Sequence, residues 1–197
     1  MTSNTRVPKA EITGIYGYLL KKMSRKMLGH VPESVGVMWH HPAVLKDMMG
    51  FGGKADKWDR LDRNLATFAG MAAAGTVGCS FCLDLGYFMA HKRGLDEAKA
   101  REVPRWRESD AFTPVERRVM EYAEAMSQTP PTVTDETSAA LLEALGAPAL
   151  VELTARIGGM NLTARTNVAL GIRSQEFSAA CGLQPLATRS ADVASPA

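Results

Sequence analysis

The sequence predicts an all-α protein. Apolar residues recur every three to four positions through most of the 197-residue chain, as in helices that bury one face. No segment of four or more residues alternates apolar and polar side chains with enrichment in β-branched residues, so no strand is predicted. The hydrophobic fraction of 46% and the charged fraction of 22% are ordinary for a globular protein, which excludes wholesale disorder.

An N-terminal helical extension is predicted over residues 1–58, packing on the rest of the chain. It begins with a helix over residues 11–27, followed by a short helical turn over residues 34–39. Pro42 then opens another short helix, which the glycines at 50–53 are expected to close. The apolar residues expected on one face of the first helix are Ile12, Ile15, Leu19, Leu20, Met23 and Met27.

A helical core is predicted over residues 59–175. Asp59 is the expected N-cap of its first helix, which the glycines at 75 and 78 interrupt. A second helix is expected from Cys79 to Arg93, ended by Gly94, and a short one from Asp96 to Glu102.

The clearest helix start in the core is Thr113-Pro114-Val115-Glu116. It combines an N-cap residue, a proline at the first helical position and a glutamate three residues after the cap, which together form a capping box. Further helices are expected over residues 135–145 and 148–172. Residues 176–197 are expected to form a C-terminal tail that is loose after Cys181.

Composition and charge exclude several function classes. The net charge is +2 and no block of like charges is present, so neither a nucleic acid nor a membrane surface is expected as a partner. The N-terminus lacks the apolar segment of a secretory signal, and no run approaches a membrane span. We therefore expect a cytoplasmic protein. Three cysteines exclude a disulfide scaffold and a two-pair zinc ribbon, and no cofactor or bound metal is expected.

The sharpest local feature is the CxxC motif, Cys79-Ser80-Phe81-Cys82. Two cysteines three positions apart on a helix lie close enough to form a disulfide. If the pair opens a helix, the unsatisfied backbone N–H groups and the helix dipole favour a thiolate at Cys79. A thiolate attacks a peroxide or a disulfide, and the second cysteine resolves the product as an internal disulfide.

Other interpretations of the motif remain open. Either cysteine could be an ordinary core residue, because free cysteines are among the most buried residue types. A metal site would need further ligands, and His91 lies on the opposite side of the helix from Cys82. A thioredoxin fold is disfavoured because its βαβ context is absent.

Several polar residues near the motif have both a catalytic and a structural interpretation. Asp84 could be an acid or base with a raised pKa in an apolar pocket, or a solvated carboxylate in the first helical turn. His91 could move protons or be a surface residue beside Lys92 and Arg93. The adjacent His40 and His41 suit a loop or cap role better than joint catalysis, because neighbouring residues do not share a helix face.

The final helix carries Asn161, Arg165 and Asn167 among apolar residues. Arg165 follows Asn161 by four positions, so the two share a face that could hold a carboxylate ligand or cap a neighbouring helix. Packing between helices or subunits is the structural alternative. Cys181, near the tail, is interpreted as incidental.

Seven motifs along the chain together carry a resemblance to a known family. They are Leu61-Asp62-Arg63, Cys79-Ser80-Phe81-Cys82, Gly94-Leu95, Phe112–Arg117, Tyr122–Ala125, Val151–Thr154 and Asn161–Gly171. Over residues 59–172 the chain resembles the carboxymuconolactone decarboxylase and alkylhydroperoxidase D-like (AhpD-like) superfamily, because the CxxC helix, the capping box and the last helix follow the family's order and spacing. The resemblance implies an AhpD-like helical bundle and a homo-oligomer, trimeric or hexameric.

The chain departs from redox members of that family at two positions. Those members place a glutamate twelve residues before the first cysteine and a histidine four residues after the second. Here the two positions are Thr67 and Gly86, so the proton relay of the family is missing. In the redox members that this chain resembles, the attacking cysteine is the C-terminal one, which corresponds to Cys82.

Three functions follow as hypotheses. The first is a CxxC-dependent thiol peroxidase or disulfide reductase, in which Cys79 and Cys82 reduce a hydroperoxide and an external thiol restores them. Asp84 is a further candidate catalytic residue in this hypothesis. The second is a non-redox enzyme of the family, acting on a lactone or small acid through Asp84, Asn161 or Arg165. The third is an oligomeric relative without catalysis.

Overall fold

A computed structural model of the protein describes residues 5–188, and all of its regular structure in that range is helical. The all-α prediction is therefore confirmed. Short loops join the helices, and a 3₁₀ turn follows α6 at Val103–Arg105. The helices are α1 (Gly14–Leu28), α2 (Glu33–Met38), α3 (Pro42–Ala55), α4 (Arg63–Val77), α5 (Ser80–Lys92), α6 (Glu97–Glu102), α7 (Pro114–Ser127), α8 (Asp135–Leu145), α9 (Ala147–Leu170) and α10 (Phe177–Ala180).

Helix α4 lies at the centre of the fold. It packs against α5, α7 and α9, and three consecutive alanines at 72–74 allow these neighbours to approach closely. The largest apolar cluster surrounds this helix. Its most completely buried members are Phe68, Met71, Tyr87, Val119, Met120, Leu141, Leu153 and Ile157.

The first core helix begins later than the sequence suggested. Asp62, rather than Asp59, caps α4, and its Oδ1 accepts hydrogen bonds from the backbone N–H groups of Asn64 and Leu65. The buried carboxylate of Glu152 accepts the N–H groups of residues 60 and 61, at 2.8 and 3.3 Å. Because these two donors are satisfied from outside, residues 60–61 stay out of the helix and the expectation for Asp59 was wrong.

The start of α7 matches the predicted capping box. Thr113 Oγ1 accepts the N–H of Glu116, and the Glu116 carboxylate accepts the N–H of Thr113 at 2.7 Å. Lys99 adds an ion pair to the same carboxylate at 2.8 Å. Burial acts to raise the pKa of Glu116, but the hydrogen bonds from Lys99 and Thr113 outweigh it and hold the pKa below its ordinary value.

One expectation for the N-terminal helices was wrong. Helix α3 continues to Ala55, through the glycines expected to end it, because Leu45 and Ala55 are buried and α3 packs on α9. The expected apolar face of α1 is mostly exposed, with only Leu20 buried. The helices are present as predicted, and the division of the chain at residue 58 stays a prediction.

Part of the expected loose tail is packed on the core. Ala187 is buried and donates its N–H to the carbonyl of Arg101, whose Nε in turn donates to the carbonyl of Pro185. Leu183 and Leu186 contact the main apolar cluster. The prediction of a loose tail is wrong for residues 183–187, and residues 189–197 lie outside the described part of the chain.

Within residues 5–188, no helix has the length and apolar character that a membrane crossing requires.

Candidate functional site

Cys79 and Cys82 are joined by a disulfide at the start of α5. Cys79 is the N-cap of this helix, and its Sγ accepts the backbone N–H of Cys82 at 3.2 Å. Gly78 makes the approach possible, because it ends α4 in the left-handed conformation (φ 80°) and lets the chain turn directly into α5. The predicted juxtaposition of the two sulfurs is therefore present.

The two cysteines differ in exposure. Cys79 is fully buried, whereas Cys82 keeps 5% of its surface accessible. Both belong to an apolar cluster formed by α4, α5, α9 and the C-terminal segment. The glycines at 75 and 78 leave no opening to Cys79, which is fully buried. They form the turn from α4 into α5, and Cys79 is buried within the apolar cluster.

Asn167 on α9 is the polar partner of the pair. Its side-chain Nδ2 lies 3.5 Å from Sγ of Cys82 and 4.0 Å from Sγ of Cys79, and the residue is only 2% exposed. The sequence singled out Asn167 as a polar residue on an apolar helix without placing it beside the cysteines. The structure brings these three residues together.

Asp84 anchors the segment that covers the cysteines. Its carboxylate is buried and accepts four hydrogen bonds of 2.7–2.9 Å. The donors are the hydroxyl groups of Ser174 and Ser178 and the backbone N–H groups of Phe177 and Ser178. The first residues of α10 are thereby fixed against α5.

Both interpretations of Asp84 from the sequence were wrong, one about its exposure to solvent and the other about the direction of its pKa shift. The group is not solvated, and its pKa is not raised. Burial acts to raise the pKa of Asp84, but the hydrogen bonds from Ser178, Ser174 and Phe177 together outweigh it and hold the pKa below its ordinary value. A carboxylate held in its charged form by four donors suits an anchor better than a proton donor.

Phe177 forms the apolar part of the same cover. It is buried in the cluster that contains both cysteines, and its ring contacts Phe81, Phe88 and His30. The His30 ring stacks on it with centroids 4.8 Å apart. The N-terminal and C-terminal segments therefore meet over the start of α5.

The two positions of the missing relay face a cavity of about 290 Å³. Thr67 donates its hydroxyl hydrogen to the carbonyl of Arg63 in its own helix, at 2.8 Å. Gly86 is packed against Met71, and a Cβ at this position would lie 2.9 Å from Met71 Cγ. A histidine could not replace Gly86 unless Met71 moved.

The other candidate residues of the last helix have structural contacts. Asn161 donates to Ser127 Oγ at 3.0 Å, and Arg165 donates to the Ser127 carbonyl at 2.8 Å and to Thr129 Oγ1 at 3.0 Å. These two side chains cap the C-terminal end of α7, which confirms the capping alternative.

The histidines and the third cysteine lie elsewhere. His41 caps α3 by accepting the N–H of Val44, which confirms its predicted cap role, and His40 contacts the carbonyl of Pro8. His91 pairs with Glu97 on the surface at 2.6 Å. Cys181 is a free, exposed thiol. Among residues 5–188, no three side chains of His, Cys, Asp or Glu gather as they would around a metal ion.

Comparison with known proteins relates this geometry to a family. Residues 42–125 match the carboxymuconolactone decarboxylase family, and the fold is similar to solved structures described as AhpD-like. The family match over residues 42–125 and the AhpD-like fold together support the carboxymuconolactone decarboxylase and AhpD-like superfamily. The resemblance inferred from the sequence is therefore confirmed.

Within the superfamily, the chain is 44% identical over 97 residues to the protein YnjA of Escherichia coli K12, a match that covers 49% of this chain and 53% of YnjA. The chain thus aligns with about half the length of that relative. The AhpD core of a peroxidase-related protein from Ralstonia eutropha JMP134 has a TM-score of 0.78 at 16% identity, covering 90% of this chain and 96% of the other.

A third similar structure is that of the debrominase Bmp8, in a variant bound to 2,3,4-tribromopyrrole. The TM-score is again 0.78, at 19% identity, and the match covers 90% of this chain and 95% of Bmp8. At such identities the two structural matches establish the fold of this chain, and that alone.

Proposed function

We propose that the protein is a dithiol–disulfide redox enzyme that reduces hydroperoxides through Cys79 and Cys82. The observation that carries the proposal is the position of the pair at the N-terminus of α5, where the N–H of Cys82 donates to Sγ of Cys79. In the reduced protein, this N–H group favours a thiolate at Cys79, and the helix dipole adds positive potential at the start of α5. The Asn167 amide, 3.5 Å from Sγ of Cys82, favours a thiolate at Cys82. The thiolate is the form that attacks peroxide oxygen.

The difference in exposure supports a separate role for each cysteine. Cys82 retains an accessible surface and attacks the hydroperoxide, whereas Cys79 is buried and resolves the product. In the first step, the Cys82 thiolate takes the terminal oxygen, the O–O bond breaks, and the departing alkoxide takes a proton to become an alcohol. The Cys79 thiolate then attacks Sγ of the sulfenic acid, hydroxide leaves and is protonated to water, and the disulfide forms.

An external thiol completes the cycle. Two equivalents reduce the disulfide by thiol–disulfide exchange and are themselves oxidised to a disulfide. We assign the enzyme to the cytoplasm, where such reductants are maintained. Because Thr67 and Gly86 cannot move protons, protons come from water or from the reductant, and we expect a peroxidase roughly 10²–10⁴-fold slower than one with a general acid–base relay.

Access to Cys82 requires the covering segment to move. The disulfide is nearly enclosed by the apolar cluster that contains Phe177, and Asp84 holds that segment in place. Asp84 therefore acts as a positioning residue for the cover in this proposal, rather than as an acid or base. Opening of residues 173–180 admits the peroxide and the reductant.

Reductive debromination is a second candidate, favoured by the extent of the structural match with the debrominase Bmp8. The same dithiol would supply two electrons: a carbon–bromine bond breaks, bromide leaves, the carbon gains a proton, and the disulfide forms. The electron balance equals that of peroxide reduction, so the two substrates compete for one reduced site. The test below therefore includes 2,3,4-tribromopyrrole as a second oxidant.

The test follows consumption of cumene hydroperoxide, with dithiothreitol as reductant, in the wild type and in single serine variants of the three cysteines. We expect Cys82→Ser to abolish turnover and Cys79→Ser to accumulate a sulfenic acid at Cys82, detected by mass spectrometry after dimedone trapping. Cys181→Ser is the matched control, because that thiol is exposed and outside the site. It should keep the wild-type rate.

Equal rates in all four proteins would overturn the redox proposal. Turnover of tribromopyrrole without turnover of hydroperoxide would replace the first substrate by the second. A protein that acts on a lactone or small acid and keeps this activity in the Cys79→Ser/Cys82→Ser double variant would instead be the non-redox enzyme of the family.

A further inference from the structure

A cavity of about 290 Å³ lies between α4, α5, α9 and the residue that follows α3, and both relay positions, Thr67 on α4 and Gly86 on α5, line it. Its lining divides into two chemically different parts. One is charged and contains three arginines and one aspartate, and the other is apolar and flexible. The charged residues are Arg63, Arg93, Arg156 and Asp56, and the apolar part includes Met71, Met89 and Met160.

The arginines provide unused hydrogen-bond donors. Arg93 binds Asp56 through Nη2 at 2.8 Å, and Arg156 binds Glu152 through Nε at 2.8 Å and the Trp58 carbonyl through Nη2 at 3.2 Å. These contacts hold both guanidinium groups in position and leave Nη1 of each without a partner in the described part of the chain. A guanidinium has five N–H donors, so both groups can donate hydrogen bonds to an anionic ligand.

Among the charged residues that line the cavity, Arg63 has the fewest contacts that would offset its charge. It forms no ion pair or side-chain hydrogen bond with any residue in the range 5–188, although its neighbours in the lining are paired. It is the first residue of α4, where the helix dipole adds positive potential. An anion at this end of the cavity would meet one free guanidinium and two that are already oriented.

The opposite end suits an apolar group. Methionine side chains adapt to irregular ligands because they are unbranched and polarizable. Met89 and Met160 line the cavity and also pack on the cluster that contains the disulfide. The side chains that would contact the apolar end of a ligand thus pack on the same apolar cluster as the redox pair.

We propose that this cavity binds a small amphipathic carboxylic acid, with the carboxylate at Arg63 and the apolar chain against the methionines. A liquid water occupies about 30 Å³, so the cavity has room for about ten non-hydrogen atoms. The inference deepens the proposed function: it rests on that function for the claim that the apolar end carries the reactive group. Binding of the carboxylate does not depend on the redox chemistry.

The binding test titrates the oxidised protein with sodium hexanoate by isothermal calorimetry or ligand NMR. We expect hexanoate to bind more tightly than the neutral hexanamide and more tightly than inorganic phosphate, which lacks the apolar chain. Arg63→Gln should weaken hexanoate binding by about tenfold, because it removes a charged hydrogen-bond donor, and should leave hexanamide unchanged.

Two further variants locate the site. Arg118→Gln removes an exposed arginine on α7 that is not part of the lining, and it should bind hexanoate like the wild type. Thr67→Leu fills the cavity from α4 and should weaken both hexanoate and hexanamide. Equal binding of hexanoate in Arg63→Gln and wild type, or of phosphate and hexanoate, would overturn the proposal.

A competition assay separates this inference from the proposed function. Hexanoate should inhibit turnover of cumene hydroperoxide in the wild type, with a weaker effect in Arg63→Gln. If hexanoate binds as described and no peroxide is reduced by any variant, the redox function fails and the carboxylate site stands. If peroxide is reduced and hexanoate binds without inhibiting it, the placement of the ligand beside the redox pair is wrong.

Discussion

The side-chain Nδ2 of Asn167 lies 3.5 Å from Sγ of Cys82 in a part of the core that is otherwise apolar. A disulfide sulfur is a weak acceptor, whereas a thiolate is a strong one, so the contact gains strength when the pair is reduced. Because Asn167 is fixed on α9, its amide needs no rearrangement to receive that charge.

This relationship predicts the effect of Asn167→Leu on thiol reactivity. A hydrogen bond to a charged group contributes about 1.5 kcal/mol, so its loss should raise the thiol pKa of Cys82. The measurement is the alkylation rate of the reduced protein against pH, with Cys181→Ser as the background. Near neutral pH the rate should fall roughly tenfold.

The control for this variant is Asn161→Leu, on the same helix. Its amide contacts Ser127 at the end of α7 and not the cysteines, so the alkylation curve should keep its midpoint. An unchanged midpoint in Asn167→Leu as well would show that the amide does not stabilise the thiolate.

Asp84 predicts a pH-dependent contribution to stability. Asp84→Asn replaces a charged acceptor of four hydrogen bonds and should lower the free energy of unfolding by about 2 kcal/mol or more near pH 7. The folded-state pKa lies below the ordinary value of 3.8, so the carboxylate stabilises the fold above that value. Its contribution is lost as the pH falls through the folded-state pKa.

Chemical denaturation at several pH values measures this effect. The difference between wild type and Asp84→Asn should be constant from pH 7 to about 5 and shrink below about 4. Asp59→Asn is the control, because that carboxylate is exposed and should change stability little at any pH. A constant difference down to pH 2 would contradict the charged-anchor interpretation.

The parts of the fold that could be predicted from sequence depend on local physics. The capping box at Thr113 and the helix Asp135–Leu145 were predicted correctly, because their signals lie within a few residues of one another. The boundary at Asp62 was missed because a residue on a distant helix, Glu152, decides which N–H groups are left for the cap.

The candidate site also combines a feature that the local sequence predicts with contacts that it does not predict. The pairing of Cys79 and Cys82 follows from their spacing on one helix, and the structure contains it. The partners of the pair come from elsewhere in the chain: Asn167 is 85 residues from Cys82, and the donors to Asp84 are 90 or more residues away. No local pattern predicts such contacts, because they depend on how α5, α9 and the C-terminal segment pack together.

The cover over the disulfide predicts the effect of Phe177→Ala. Removing this buried ring should cost about 3–5 kcal/mol of stability and leave the start of α5 less protected. We expect the disulfide to be reduced faster by a bulky reductant such as glutathione, while its reduction by a small one changes less. The measurement is the rate of disulfide reduction under conditions in which both proteins remain folded.

Phe112→Ala is the control for Phe177→Ala. Phe112 is also a buried ring, packed edge-on against Phe68 in the main cluster and away from the cysteines. It should lose comparable stability without a change in the rate of disulfide reduction. Equal acceleration in both variants would mean that general destabilisation, and not the cover, controls access to Cys82.

The exposed face of α1 predicts where copies of the chain would meet. Ile15 and Leu19 are 83% and 55% exposed, and Met23 and Met27 continue the stripe at four-residue intervals. The family resemblance implies a homo-oligomer, and an apolar stripe of this length is suited to covering by a second copy. The stability of the monomer does not require these four side chains, because the cluster beneath α1 is formed by Leu20, Val35 and Leu45.

We therefore expect Ile15→Glu/Leu19→Glu to dissociate the oligomer, because two buried charges at an apolar contact cost more than the contact gains. Light scattering after size exclusion measures the mass. The double variant should weaken association at least about tenfold while keeping the helical circular dichroism spectrum. Arg25→Gln, on α1 but away from the stripe, should assemble like the wild type. A wild-type protein that is monomeric at micromolar concentration, or a double variant with the wild-type mass, would contradict this use of α1.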